Sequence, residues 1–155
     1  MTWLFLALTI VGSQGREGLS DEKRSTEIVF VCEHGAALSV ISAAYFNKLA
    51  RAQGLSMHAI ARGTAPQEEL SRTAHEGLKD DGIKVETTIP QALSDADVVH
   101  ARRIIAFSPI PARYARKARV ETWSDVSWPP ANYKEARDAI VQHLQALIQE
   151  LKAGN

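Results

Sequence analysis

The stretch EIVFVCEHGAALSVISAAYFNKL, residues 27–49, decides the fold. Ile28 to Val31 is an unbroken β-branched and aromatic run, the pattern of a strand buried on both faces. It ends on Cys32, the only cysteine of the chain. A short loop containing Gly35 follows. From Ser39 to Ala52, Val40, Ala43, Ala44 and Leu49 then fall on one helical face, and Gly54 supplies a stop. A strand, a tight loop and a helix in that order set a thiol before a curve of backbone amides. Those amides, from Glu33 through His34, Gly35, Ala36, Ala37 and Leu38 to Ser39, converge with the helix N-terminus into a set of N–H donors that favours an anion. The same field favours a thiolate. The Ser39 hydroxyl either caps the helix or donates to the sulfur. His34 would assist when protonated, and Glu33 would oppose it. The competing reading of Cys32 is an inert cysteine buried at a strand end.

Outward from this unit, strand-like and helix-like runs alternate. Met57 to Ala61 reads as a second strand leading into RGT, and Gln67 to Lys79 as an amphipathic helix between Pro66 and Gly82. Pro90 to Asp95 suggests a short helix, and Arg103 to Phe107 the next strand. Pro109 and Pro111 break the chain before a brief basic helix in ARYARKA. Val120 to Trp123 is the last strand, and two prolines keep SDVSWPPANY a loop. Tyr133 to Lys152 is the longest helical pattern, with Ala136, Ile140, Leu144, Leu147, Ile148 and Leu151 on one face. Such alternation implies right-handed crossovers and a three-layer α/β sandwich around a four-stranded parallel sheet. Ligands of these sheets gather at the carboxyl ends of the strands, where Cys32, Arg62 and Ser108 fall.

Composition narrows the function. The chain has 155 residues, enough for one self-supporting domain. Its 18 basic and 18 acidic side chains balance, so no overall field draws it to nucleic acid. One cysteine excludes an internal disulfide and a thiolate zinc cluster, and thiol redox chemistry would need a sulfur from another molecule. No metal site is read in the sequence. Residues 1–15 hold TWLFLALTIVG, shorter than the roughly 20 residues that span a bilayer but of the length of a signal-peptide core. Export to a compartment such as the periplasm is the reading preferred over a cytoplasmic one. The alternatives are an early start codon or a loosely docked N-terminal helix. Membrane attachment would come only through this segment if it were not cleaved. Residues 16–26, REGLSDEKRST, read as a polar linker to a domain at 27–152.

Within that domain, VFVCEHGAALS, ARGT after the second strand, and WSDV with ARDAI at the last helix resemble the low-molecular-weight protein tyrosine phosphatases and the related arsenate reductases. The resemblance implies a Cys-x5-Arg-Ser/Thr loop. In it the cysteine attacks phosphorus or arsenic, the amides and the arginine hold the oxyanion, and a later aspartate protonates the leaving group. It implies no cofactor beyond an external thiol for arsenate reduction, and a phosphate- or arsenate-like oxyanion or a phosphoprotein as partner. Cys32 and Ser39 occupy the matching positions, so Cys32 is the expected nucleophile. Leu38 stands where the arginine belongs, and Trp128 precedes Pro129 where an aspartate is usual. Arg62 is a candidate replacement cation, against a reading as an arginine covering the sheet edge. Asp125 is the candidate acid, against a reading as a turn residue. Trp123 and Trp128 read as packing before they read as a ligand wall. The function expected is a phosphotyrosine-phosphatase-like or arsenate-reductase-like protein of weak activity. The alternative is a catalytically degenerate member that binds an anion or a protein.

Overall fold

The computed structural model describes residues 27–86, 88–127 and 132–154. The N-terminal segment and linker, Trp128 and the two prolines after it therefore lie outside the described residues. Four strands form one parallel sheet: β1 (Glu27–Cys32), β2 (His58–Gly63), β3 (Ala101–Ala106) and β4 (Val120–Thr122), in the order β2-β1-β3-β4. The central β1 is buried along nearly its whole length, which is why its sequence is apolar without alternation.

Helices cover both faces. On one, α1 (Leu38–Ala52), α2 (Arg72–Asp80) and α5 (Tyr133–Ala153) bury an apolar cluster with Ile28, Phe30 and Cys32 of β1. On the other, α3 (Asp95–His100) and α4 (Ala112–Ala115) contribute Val98 and Tyr114 to a cluster with Val29, Val31 and Ile104. The period of two along β1 thus divides its side chains between two cores. The four-stranded parallel sandwich expected from the alternation is the fold observed.

Two helices begin later in the structure than the sequence reading has them. The helix expected from Gln67 begins at Arg72, with Ser71 Oγ accepting from the Ala74 amide as N-cap. Residues 64–71 are instead drawn into hydrogen bonds to the β1–α1 loop. The helix expected at Pro90 to Asp95 lies later, at Asp95–His100, under a capping box between Ser94 and Asp97. Ahead of it, Ala92 bridges Gly63 in parallel, extending the β2 edge.

A tyrosine-carboxylate knot ties α1, α2 and α5 together. Asp81 Oδ2 accepts from the Tyr45 hydroxyl at 2.6 Å and the Tyr133 hydroxyl at 2.7 Å, and Arg137 donates to the same carboxylate at 3.1 Å. Burial and the bond to Asp81 push the Tyr45 phenol up to about 12. Burial works against the Asp81 charge, yet the three donors hold its carboxyl below the usual range.

A second carboxylate pins β2 to α3. Arg62 donates from Nε to Asp97 Oδ2 at 2.9 Å and from an Nη to Oδ1 at 3.0 Å, with both side chains largely buried. Burial again opposes the charge, and Arg62 and Ser94 overcome it, holding Asp97 below the usual carboxylate range. Removing one partner of such a pair leaves the other charge stranded, so Asp97→Ala should cost about 3 kcal/mol in a denaturant titration. Stability from Asp97 and Asp81 is fully present above the unfolded carboxylate value of about 4 and is lost as pH falls through their lower folded values. Acid unfolding of the Asp97→Ala variant should therefore be shallower than that of the parent protein. An equal acid dependence would exclude Asp97 as a contributor.

Candidate active site

The β1–α1 loop is shaped by carbonyls turned outward. Thr64 donates its amide to the Cys32 carbonyl at 3.1 Å and Ala65 to Glu33 at 2.7 Å. Gln67 donates to His34 at 3.1 Å and Ser71 to Ala36 at 2.9 Å. The β2–α2 segment thus takes up the oxygen side of the loop. Among the described residues, none of the loop amides from 33 to 39 donates to a backbone acceptor. Their N–H groups are thus left without a backbone acceptor, the arrangement an anion cradle would require.

Two glycines permit the close approach behind it. Gly35 has φ of 62°, the left-handed region that L side chains resist. A Cβ at Gly63 would stand 2.8 Å from the Gly35 nitrogen and 3.0 Å from the His34 carbonyl carbon. Loop and strand therefore touch backbone to backbone.

At the focus lies Cys32, buried, with Sγ 3.1 Å from the Ser39 hydroxyl. Ser39 is fully buried one residue inside α1, while Ala37 holds the N-cap position with no side-chain cap bond. Of the two readings of Ser39, the hydroxyl faces the thiol and does not cap. The helix start therefore has no side-chain cap to offset its positive end. Leu38 is also buried, in the same apolar cluster as Cys32, Trp123 and Val126. Glu33 and His34 are largely exposed, with His34 Nε2 3.9 Å from Glu33 Oε1.

Arg62 and Asp125 are each engaged by another side chain. Arg62 is in register with Val31, one residue before Cys32, so it occupies the opposite face of the sheet. Its guanidinium is engaged by Asp97 and by the Ala61 carbonyl. It neither supplies a cation to the loop nor lies as a solvent-facing arginine over the edge. Asp125, in an exposed turn, accepts a 2.8 Å hydrogen bond from His143 of α5. That bond holds the Asp125 carboxyl below its ordinary range. His143 is itself stacked on Trp123, ring centres 4.6 Å apart, and Trp123 packs edge-on to Phe107 in the core. Trp123 is thus a packing residue. Ser108 Oγ is buried with no hydrogen-bond partner among the described residues.

Sequence reasoning missed Asp97, His143 and Gly63. The spacing of Ser94 and Asp97 is a capping-box signal that marks Asp97 as structured. His143 borders the apolar stripe of α5, a position with no signal for its contact to Asp125. Among the described residues, no group of three or more His, Cys, Asp and Glu side chains could hold a metal, and no helix is long and apolar enough to cross a membrane.

Comparison with known proteins agrees with this architecture. YfkJ from Bacillus subtilis superposes with a TM-score of 0.74 at 19% identity, covering 83% of this chain and 96% of that one. A low-molecular-weight protein tyrosine phosphatase from T. tengcongensis gives 0.68 at 23%, covering 81% and 99%. An arsenate reductase from Archaeoglobus fulgidus gives 0.62 at 23%, covering 79% and 98%. No curated protein sequence matches the chain. The family model for low molecular weight phosphotyrosine protein phosphatase matches residues 27–155. The chain belongs to the low-molecular-weight phosphotyrosine protein phosphatase family.

Proposed function

We propose that the Cys32 loop binds a phosphate-like oxyanion and that the Cys32 thiolate attacks it, giving slow phosphatase-like turnover. The observation that carries this reading is the 3.1 Å contact between Cys32 Sγ and Ser39 Oγ at a buried, uncapped helix start. Ser39 supplies a donor to the sulfur, and the amides of Glu33 to Ser39 supply donors to the oxyanion. Leu38 supplies none. A guanidinium grips two oxygens at once, and losing one such preorganised donor typically costs about 10²–10³ in rate. Slow turnover follows from that loss. Arsenate fits the same cradle, with a soluble thiol attacking the Cys32 adduct, since the chain has no second cysteine.

The apolar burial of Leu38 and the engagement of Asp125 by His143 favour a second reading, in which the loop binds an anion without turning it over. One experiment separates the two. Phosphate at tenfold its Kd should raise the Tm by about 3–6 °C in both the parent protein and Cys32→Ser. Hydrolysis of para-nitrophenyl phosphate should appear only in the parent. Stabilisation without hydrolysis in either protein leaves the binding reading, and no stabilisation in either overturns the oxyanion site.

A further inference from the structure

An in-line displacement by Cys32 places the leaving oxygen opposite the sulfur, outside the loop, where a proton donor must come from the rim. The stretch WSDVSWPPAN, residues 123–132, holds one carboxylate, Asp125. That carboxylate is bonded to His143 at 2.8 Å, and His143 is fixed by its stack on the buried Trp123. A hydrogen bond accepted by a carboxylate favours its deprotonated form, the form that cannot donate. It also ties the group to α5. The remaining titratable side chains of the loop, Glu33 and His34, face each other at 3.9 Å, so a protonated His34 is paired with Glu33.

We propose that the Cys32 site takes phosphoryl groups from donors whose leaving group departs unaided as a stable anion, namely acyl phosphates and activated aryl phosphates, and leaves phosphotyrosine-like esters nearly untouched. This substrate class rests on the phosphatase reading above. In the first step the S–P bond forms as the P–O bond breaks, and the leaving group keeps the electron pair as a carboxylate or stabilised phenolate. No proton is delivered to it. In the second step water attacks phosphorus, the S–P bond breaks, the Cys32 thiolate is regenerated, and inorganic phosphate leaves while the proton of the water passes to solvent. A positioned general acid ordinarily contributes about 10²–10⁴-fold, and that factor is missing only for poor leaving groups.

The test is kcat/KM for acetyl phosphate, para-nitrophenyl phosphate, phenyl phosphate and phosphotyrosine, each with the full-length protein and with Cys32→Ser. The expected result is Cys32-dependent turnover that falls by about 10²–10⁴-fold from acetyl and para-nitrophenyl phosphate to phenyl phosphate and phosphotyrosine. Cys32-dependent rates within tenfold of one another across the series would overturn the inference and leave the phosphatase reading standing. Turnover that is the same in Cys32→Ser for every donor would overturn both.

Discussion

Replacing Gly63 with alanine is expected to lower stability by about 3 kcal/mol and to abolish stabilisation by phosphate, although Gly63 lies on a strand and contributes no side chain. The new methyl group would meet the Gly35 nitrogen at 2.8 Å, the His34 carbonyl carbon at 3.0 Å and the Glu33 oxygen at 3.1 Å. All three are backbone atoms, so no rotamer change relieves the clash. Gly63 cannot retreat either. Its amide donates to the Gln91 carbonyl at 2.8 Å, and its carbonyl accepts from the Leu93 amide at 2.9 Å. The loop must therefore move away from β2. That movement breaks the bonds from Thr64, Ala65 and Gln67 that turn its carbonyls outward. Denaturant titration with and without phosphate reads both effects. Parent-like phosphate stabilisation in a folded Gly63→Ala protein would show that the loop does not form the cradle.

The second large effect is expected at Leu38. Arginine there should tighten phosphate binding by roughly 10- to 100-fold, the range of a charge-assisted bidentate contact added to the proposed amide cradle. The same substitution removes an apolar side chain from the cluster around Cys32, Trp123 and Val126, which should lower stability by about 1–3 kcal/mol. The two changes have opposite signs and are read separately, affinity by calorimetry and stability by denaturant. Hydrolysis of para-nitrophenyl phosphate should rise with affinity, by up to about 10³-fold. Phenyl phosphate should remain the poorer substrate, because the carboxylate at Asp125 still pairs with His143. A folded Leu38→Arg protein with unchanged phosphate affinity would mean that position 38 does not face the cradle.

The architecture was legible in residues 27–49 and in the alternation after them, because hydrophobic period is a local property. Ile28 to Val31 is apolar without a break because β1 is covered on both sides, and the helix pattern of Tyr133 to Lys152 follows from one buried stripe. The place of Cys32 at the end of β1 and ahead of α1 was legible for the same reason: strand, loop, thiol and helix start are contiguous in the chain. What needed the tertiary structure was every pairing across elements. Arg62 looked available to the loop until its register with Val31 placed it on the far face, one residue out of phase with Cys32. Asp97, 35 residues away in sequence, then claimed both prongs of its guanidinium. Asp125 stood open between an acid and a turn residue, and the packing of α5 set His143 against it. The second helix looked five residues longer because propensity carries no information about the Ala36 and His34 carbonyls that draw Ser71 and Gln67 into the loop. Period and contiguity, carried by the chain itself, determined the fold and the place of the thiol. Register and helix packing, which depend on contacts between residues far apart in the chain, decided how the charged candidates are paired.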